Sequence, residues 1–317
     1  MVRVKIKPES PFHIGKKGVG QEGTERWVRS DTLAGGIFNA WVVVHGEEDL
    51  KNLLSTFNES FPFRISSAFP WFKEKTREVF FYPRPLLPLG EMVEEEVLRD
   101  EKVRVKDIKK SKLVPEYILR MMLDGRKLGR DEIQQIRDGN TILGEHVKEE
   151  TLPRVAMGPL SVKTNYYRLG ALFFSDDSGL YFLAEFSSDE VKEKFMAALR
   201  YLGETGIGGK RTSGMGKFTI EDVEEVEFPA DGDRFLSLSL VSPADEEEAK
   251  SGSGEFVERS GWVNFGRPKR QLNVVMFEEG SVFEKKVKGR LVDVTPSGCE
   301  KRIYRYGVAF VLGMKGG

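Results

Sequence analysis

The sequence predicts an α+β protein of two domains, and three observations support this prediction. Its 317 residues are enough to form two ordinary hydrophobic cores. The first two thirds of the chain mix strand patterns with helical patterns, whereas the last third consists mostly of strand patterns. Turn-forming residues at 229–233 separate the two parts. We therefore place a first domain at residues 1–229 and a second domain at residues 230–317.

The first strand and the first helix are visible as periodic patterns. Val2, Val4 and Ile6 alternate with charged residues as far as Pro8, which is typical of a half-buried strand. Ser30 is a predicted N-cap, and apolar residues recur behind it at helical spacing up to residue 44. Residues 11–29 are polar and contain glycine, so we expect a loop between strand and helix.

Strand patterns at residues 61–69 and 79–82 follow, and a long insertion is predicted at about 84–168. We then expect a hairpin of strands at 169–174 and 180–186. A capping-box pattern that starts at Ser187 and Ser188 predicts a helix at 189–203, and a strand is predicted at 218–228. These elements complete the βαββαβ order of a ferredoxin-like, or RRM-like, domain.

The last part of the chain predicts further strands at residues 235–240, 262–265, 271–277, near 291 and at 304–312. The acidic stretch around residues 245–250 indicates a solvated surface or a linker. A basic cluster of Arg267, Lys269 and Arg270 lies between two of the predicted strands. This cluster is either a contact for an anionic partner or a solvated turn.

Composition excludes several classes of protein. The single cysteine, Cys299, rules out internal disulfides and a cysteine-rich zinc site, and it fits a reducing cytoplasm. No apolar run approaches the roughly 18 residues of a membrane span, so we expect a cytoplasmic protein without a membrane partner. The net charge is −1, so only charge segregation along the chain can indicate nucleic-acid binding. Residues 99–130 are rich in lysine and arginine, whereas residues 221–258 are strongly acidic.

The clearest candidate site is the segment 206–218, which we call the glycine loop. It combines five glycines with three cations and two hydroxyls: Gly206, Gly208, Gly209, Gly214, Gly216, Lys210, Arg211, Lys217, Thr212 and Ser213. Glycine lets main-chain N–H groups approach an anion, so the loop predicts phosphate binding at Gly206, Gly208 and Gly209. A nucleotide P-loop is excluded because Glu204 occupies the place of its first glycine and Arg211 follows the lysine. The alternative is an ordinary turn between helix and strand.

Catalytic and cofactor patterns are weak. The chain has three histidines, His13, His45 and His146, and it contains no HExxH motif, magnesium-type acidic cluster or Cys/His zinc spacing. We therefore expect no metal and no cofactor. Tyr166 and Tyr167 follow Lys163 in the insertion and offer faces on which a base could stack, although aromatic residues in strands are more often core.

The glycine loop resembles that of the RAMP superfamily, the RNA-binding proteins of CRISPR–Cas systems. Four further segments sharpen the resemblance: residues 12–15 (Phe-His-Ile-Gly), 29–33 (Arg-Ser-Asp-Thr-Leu), 279–283 (Glu-Gly-Ser-Val-Phe) and 306–310 (Tyr-Gly-Val-Ala-Phe). Together they are similar to the family of Csm subunits that cap the 5′ end of crRNA in type III-A effector complexes. By this resemblance the second domain is a degenerate ferredoxin-like domain, and a hairpin in the insertion protrudes like a thumb.

The resemblance implies a non-catalytic RNA-binding subunit. Its expected partners are the 5′ handle of crRNA, nearby target RNA, the large polymerase-like CRISPR subunit and the backbone RAMP subunits. The residues expected to contact RNA are His13, Lys16, Arg29, Ser30, Arg154, Lys163, Tyr166, Gly206, Gly208, Gly209, Lys210, Arg211, Ser213, Gly214, Lys217, Arg267 and Arg270.

Two alternatives stay open at this point. A metal-independent RAMP endoribonuclease that processes crRNA would use His13 as a base to take a proton from a 2′-hydroxyl. The position of the glycine loop argues against it, because such enzymes carry this loop near the C-terminus and about a hundred residues follow it here. The equivalent subunit of a type III-B complex would share the mechanism and differ in its partners.

Overall fold

The structure is a computed structural model that describes residues 1–16, 20–57, 59–100, 105–157, 164–265 and 267–316. It confirms an α+β fold with antiparallel sheets. In these ranges no helix is both long enough and apolar enough to cross a membrane.

The larger sheet has seven strands in the order β5-β4-β3-β8-β1-β9, and β2 also pairs with β8. β1 is central and runs antiparallel to both β8 and β9. The bounds of the seven strands are β1 Val2–Pro8, β2 Phe63–Ile65, β3 Phe69–Glu74, β4 Arg77–Pro83, β5 Leu113–Pro115, β8 Ser178–Phe186 and β9 Phe218–Glu225. All of them lie in the part of the chain before residue 226.

Both faces of β1 are buried, although its alternating pattern predicted one polar, solvated face. Val4 and Ile6 lie in the core on one face. On the other face, Arg3 and Lys5 are only 5% and 4% exposed, because side chains of β3 and β4 and Glu116 of the insertion pack over them. The guanidinium of Arg3 stacks 3.8 Å from the Phe80 ring centroid and donates to Tyr82, Glu116 and Glu224. Such a buried cation requires these partners, which lie far away in sequence.

Nine helices are present in the described part of the chain: α1 Ser30–His45, α2 Glu47–Thr56, α3 Leu89–Met92, α4 Glu95–Arg99, α5 Val105–Lys110, α6 Glu116–Leu123, α7 Arg130–His146, α8 Asp189–Thr205 and α9 Glu246–Ser251. α1 and α8 pack together on one face of the large sheet. The capping box predicted at the start of α8 is present in part: Ser188 is the N-cap, and its Oγ accepts a hydrogen bond from the Val191 amide at 3.3 Å. Ser30 is not the N-cap of α1; that position belongs to Arg29.

The insertion forms a second layer with an aromatic core on the opposite face of the large sheet. α6 and α7 bury their apolar faces against strands that present Phe81, Tyr82 and Tyr181. The hairpin predicted from residues 169–174 and 180–186 is wrong. Residues 164–174 pair instead with the end of the insertion, giving a long hairpin of β6 Val147–Met157 and β7 Thr164–Phe174, while β8 joins the large sheet.

The C-terminal part consists of a four-stranded sheet, order β11-β16-β10-β19, and three two-stranded ribbons. The sheet strands are β10 Arg234–Ser237, β11 Gly252–Ser253, β16 Val282–Phe283 and β19 Val311–Met314. The ribbons are β12 Phe256–Arg259 with β15 Val274–Phe277, β13 Trp262–Phe265 with β14 Arg267–Arg270, and β17 Gly289–Asp293 with β18 Tyr304–Val308. Two expectations differ from this result: residues 267–270 form a strand, and the acidic stretch forms the short helix α9.

The two parts of the chain share their cores. Tyr306 of β18 stacks on Phe63 of β2 at 6.1 Å between ring centroids, and its hydroxyl accepts from the Ile65 amide at 3.0 Å. Leu236 and Phe310 pack into the same cluster as the insertion. The C-terminal part therefore buries apolar surface on both layers of the first part.

Candidate nucleic-acid interface

The glycine loop connects α8 to β9 by a backbone path that requires glycine. Gly206 and Gly208 both have φ of 84°, a conformation that other residues rarely adopt. A Cβ at Gly206 would lie 2.5 Å from the Met215 carbonyl oxygen, and one at Gly208 would lie 2.5 Å from the His13 carbonyl oxygen. The loop is thus folded tightly onto itself and onto the segment after β1.

The main-chain amides of the loop are less open than the sequence suggested. The Gly206 amide donates to Leu202 O at 2.7 Å, and the Gly209 amide donates to His13 O at 2.8 Å. The prediction that these two amides hold phosphate is therefore wrong for the chain in this structure. In the described ranges the Gly208 amide has no such partner, and it is the one of the three that is free to meet an anion. Gly209 does not adopt positive φ; a Cβ there would collide with the His13 ring, 2.8 Å away.

The cationic side chains of the loop, in contrast, are available to bind an anion. Lys210 has left-handed backbone with φ of 59°, and residues Arg211 to Ser213 form an exposed single turn. Among the residues that the structure describes, no carboxylate lies within 4 Å of Lys210, Arg211 or Lys217. Lys210 is half-buried, and Arg211 and Lys217 are exposed. Three cations without a nearby anion make a local positive potential that attracts phosphate.

The β6–β7 hairpin stands beside the glycine loop. Met215 of the loop packs against Leu169 and Ala171 of β7. The Lys210 ammonium lies 4.9 Å from the centroid of the Tyr167 ring, and its Nζ is 3.4 Å from the Tyr167 hydroxyl. Tyr167 pairs with Arg154 across the hairpin, which places the exposed Arg154 on the same face of the hairpin as Tyr167.

Toward its tip the hairpin exposes its other face. Tyr166 is 64% exposed, and its cross-strand partner Val155 is 58% exposed. Lys163 and the tip around it lie outside the described residues. An exposed tyrosine opposite an exposed valine has no packing role in this chain, so it is open to a base or to a partner protein.

The segment after β1 completes this surface. His13 is 7% exposed, its Nδ1 lies 2.7 Å from Gly170 O of the hairpin, and its main chain receives the Gly209 amide. Lys16 is exposed beside it. His13 thus joins the loop to the hairpin, and its buried ring is poorly placed to take a proton from an RNA hydroxyl.

Arg29 and Ser30 are not on this surface, and their predicted contact with RNA is wrong. Arg29 is 3% exposed and forms ion pairs with Glu279 at 2.7 Å, Glu278 at 2.6 Å and Glu25 at 3.4 Å. Burial alone would lower the pKa of Arg29, but these carboxylates outweigh it and raise the pKa. Ser30 is fully buried, and its Oγ accepts from the Leu240 amide at 3.0 Å. Both residues hold the C-terminal part against the first part.

Asp31 adds further ion pairs between the first part of the chain and the C-terminal part. Arg259 Nε and Arg305 Nη1 donate to its carboxylate at 2.8 Å and 2.6 Å. Burial alone would raise the pKa of Asp31, but the two guanidinium groups outweigh burial and hold that pKa at about 2. We call Arg29, Asp31, Arg259, Arg305 and Glu279 the charged junction.

The remaining predicted residues lie elsewhere in the structure. Arg270 is exposed on the β13–β14 ribbon, where its Nε is 3.3 Å from Ser260 Oγ. The side chain of Arg267 lies outside the described residues. Gly214 is exposed with φ of 78°, and Ser213 is exposed beside it. The structure therefore joins Lys210 to the hairpin through Tyr167, the cross-strand partner of Arg154. Four further predicted residues are exposed on the glycine loop or on the segment after β1: Lys16, Arg211, Ser213 and Lys217. Tyr166 is exposed on the hairpin.

Comparison with known proteins agrees with this geometry. The model of the RAMP superfamily matches residues 5–219, about two thirds of the chain. The chain belongs to the RAMP superfamily. The model of the CRISPR Csm4 C-terminal domain matches residues 230–314. A relative from Thermococcus onnurineus, "CRISPR system Cms protein Csm4", is 29% identical over 322 residues, covering 99% of this chain and 96% of the relative.

Solved structures show the same fold. A chain of the Csm3–Csm4 subcomplex in the type III-A CRISPR–Cas interference complex matches with a TM-score of 0.64 and 18% identity, covering 98% of this RAMP protein and 99% of that chain. A chain of a Csm1–Csm4 cassette in complex with cA4 matches with a TM-score of 0.63 and 23% identity, covering 99% and 97%.

One feature of the site was beyond sequence reasoning. The contact of Lys210 with Tyr167 joins residues 43 positions apart, and no local pattern indicates it. The sequence offered both Tyr166 and Tyr167 as stacking faces and did not distinguish them. The register of the long hairpin decides which of the two tyrosines faces the glycine loop.

Proposed function

We propose that this RAMP protein is a non-catalytic RNA-binding subunit of a type III-A Csm complex and that it binds the 5′ handle of crRNA. The observation that carries the proposal is the exposed set of cations without acidic partners on the glycine loop, beside the β6–β7 hairpin. RNA is the ligand that suits a rigid cationic loop beside aromatic side chains.

The residues divide into two roles. Lys16, Arg154, Lys210, Arg211 and Lys217 supply charge for successive phosphates, and the Ser213 hydroxyl suits a phosphate or a 2′-hydroxyl. The hairpin supplies Tyr166 as an exposed aromatic face. Since main-chain amides contribute little here, we expect side-chain charge to dominate affinity.

The burial of His13 supports a role without catalysis. Its Nδ1 faces the Gly170 carbonyl, and its ring packs against Gly209, so an RNA hydroxyl has little access to it. A general base must reach the proton that it removes, within roughly 3 Å. His13 is better suited to holding the glycine loop against the hairpin.

The partner proposal rests on likeness to chains from Csm1–Csm4 and Csm3–Csm4 structures over nearly the full length. We infer that this chain bridges the large subunit and the backbone RAMP subunits, with target RNA nearby. Co-expression with type III-A partners tests this directly: a stable ternary complex is expected. Assembly only with type III-B partners would favour the other complex type.

We also infer that the chain contains two ferredoxin-like domains. The first follows the order β1, α1, β2–β4, β8, α8, β9, interrupted by the insertion. In its described residues the C-terminal part has a four-stranded antiparallel sheet with one short α-helix, so it would be a degenerate copy.

The function is tested by titrating the full-length chain with handle RNA and with a scrambled RNA of equal length, with and without magnesium. We expect tighter binding of the handle and no cleavage of either RNA. Multiple-turnover cleavage of a repeat RNA that His13→Ala abolishes would overturn the non-catalytic role. Equal affinity for both RNAs would overturn handle recognition.

A further inference from the structure

Trp262 is the most exposed large apolar side chain among the residues with a described side chain. It is 73% exposed on the β13–β14 ribbon, whereas Trp27, Trp41 and Trp71 are 7%, 1% and 2% exposed. An exposed indole contributes little to folding, and Trp is enriched at contact sites for other molecules. This residue is the one tryptophan of the chain that is free to meet a ligand.

The surroundings of Trp262 are cationic. Residues 260–276 contain Arg267, Lys269 and Arg270 and no acidic residue. Trp262 pairs directly with Arg270, so both side chains leave the same face of the ribbon. Among the residues that the structure describes, no carboxylate lies within 4 Å of Arg270; its Nε contacts only the Ser260 hydroxyl.

The ribbon is held in place by its neighbours. Lys269 Nζ donates to the carbonyl oxygens of Ser297 at 3.1 Å and Gly298 at 2.7 Å. The Gln271 amide donates to Gly261 O at 2.9 Å, which closes the base of the ribbon. A fixed ribbon loses less conformational entropy when it binds a ligand.

A second exposed aromatic in the C-terminal part shows why the charge matters. Phe256 is 63% exposed on β12, but Glu255 and Glu258 flank it. Its ring also packs 4.5 Å from Phe277, centroid to centroid. Acidic neighbours repel phosphate, so Phe256 suits a protein surface. Trp262 sits where phosphate is attracted.

The helix packing places Arg259, three residues before the ribbon, at the same end of the α1–α8 pair as the glycine loop. α1 and α8 run antiparallel, because His45 of α1 contacts Lys194 O at 2.9 Å while Gly36 abuts Leu202. Continuing this antiparallel alignment places the first turn of α1 beside Gly206. Asp31 in that turn binds Arg259, which immediately precedes the ribbon, and Arg305.

We propose that Trp262 and Arg270 form a second RNA-contact site, on which a single-stranded segment stacks one base on the indole and sets a phosphate on the guanidinium. This proposal rests on the proposed function and adds a contact in the C-terminal part to those at the glycine loop. The site takes single-stranded RNA because a flat exposed ring reads a base face that a duplex hides.

Intrinsic fluorescence gives a direct test, because the other three tryptophans are buried. Handle RNA titrated into the full-length chain quenches the Trp262 emission, and Trp262→Phe removes that quenching. Trp262→Ala weakens RNA binding roughly tenfold, the scale expected for one stacked base. Arg270→Ala lowers the slope of log affinity against log salt by about one. The matched control, Phe256→Leu, removes an exposed aromatic from the acidic ribbon and leaves affinity unchanged.

The outcomes separate this site from the proposed function. If Lys210→Ala with Arg211→Ala abolishes RNA binding while Trp262→Ala leaves affinity and emission changes unaffected, the second site is overturned and the proposed function stands. If Trp262→Ala keeps RNA affinity but weakens assembly with partner subunits, the ribbon is a protein contact and the site is overturned as well. If the wild-type chain binds no RNA, both proposals fall.

Discussion

The glycine loop and the charged junction both contain cationic residues, but these residues are paired with carboxylates only in the junction. Lys210 is half-buried and Arg211 is exposed, and neither has a nearby carboxylate in the described ranges, whereas Arg29 is buried with three carboxylates around it. Segments in both regions carry the resemblance to an RNA-binding family, and both Lys210 and Arg29 were expected to bind RNA. The structure separates them by what each cation already contacts.

This difference shows that a positive residue is available for RNA only if the fold has not already paired it. The partner of Arg29, Glu279, lies 250 residues further along the chain. A buried ion pair loses stability when one partner is removed, because the other charge stays buried and unpaired. An exposed cation costs little to remove and contributes mainly through attraction of phosphate.

The largest expected effect is on the charged junction. Asp31→Asn leaves Arg259 and Arg305 buried without their anion, so we expect the free energy of unfolding to fall by about 3 kcal/mol at neutral pH. Denaturant titration measures this loss. RNA affinity of the folded protein is expected to stay unchanged, and a loss of less than about 1 kcal/mol would contradict a structural role for Asp31.

The stability of the wild type and of Asp31→Asn should also depend differently on pH. Asp31 has a pKa lowered from 3.8 to about 2 in the folded chain. Its contribution to stability is therefore fully present above about pH 4 and is lost as pH falls toward 2. The stability difference between wild type and Asp31→Asn should shrink over this range. A difference that stays constant down to pH 2 would show that the charge is not its cause.

A smaller effect is expected from the backbone of the glycine loop. Gly216 and Gly214 have φ of 79° and 78°, but a Cβ at Gly216 would lie 2.0 Å from Ile207 O, whereas a Cβ at Gly214 meets open space. Gly214→Ala should lower stability by about 1 kcal/mol, because alanine is strained at positive φ. Gly216→Ala should lower stability by about 2 kcal/mol more, because its methyl group also collides with the backbone. Thermal melts compare the two variants. Equal losses would mean that the loop relaxes around the added methyl group.

The smallest effect concerns a single exposed charge. Lys217→Ala should lower RNA affinity several-fold and reduce the salt slope by about one, with no change in melting temperature. Lys250→Ala is its matched control, because Lys250 is exposed on α9 and pairs with Glu246 at 3.2 Å. An equal change in both variants would show that only net charge matters and not the position of Lys217.

The sequence predicted much of the fold because local patterns control local elements. The β1 alternation, the Ser188 cap and the glycine loop were correctly placed by short-range spacing. The pairing of β7 with β6 was missed, since the choice of strand partner depends on long-range packing that no local pattern contains. The same limit applies to Arg29, whose charged partners come from distant segments.

The central claim is that the loop cations bind RNA and the junction cations hold the fold. Handle-RNA titration and thermal melting of two variants, Lys210→Ala with Arg211→Ala and Arg29→Met, test it most directly. We expect the double alanine to lose about 2 to 4 kcal/mol of binding free energy with an unchanged melting temperature. Arg29→Met should lose about 3 kcal/mol of stability and keep its RNA affinity when folded. Unchanged RNA affinity in the double alanine, or weakened binding by folded Arg29→Met, would contradict the account.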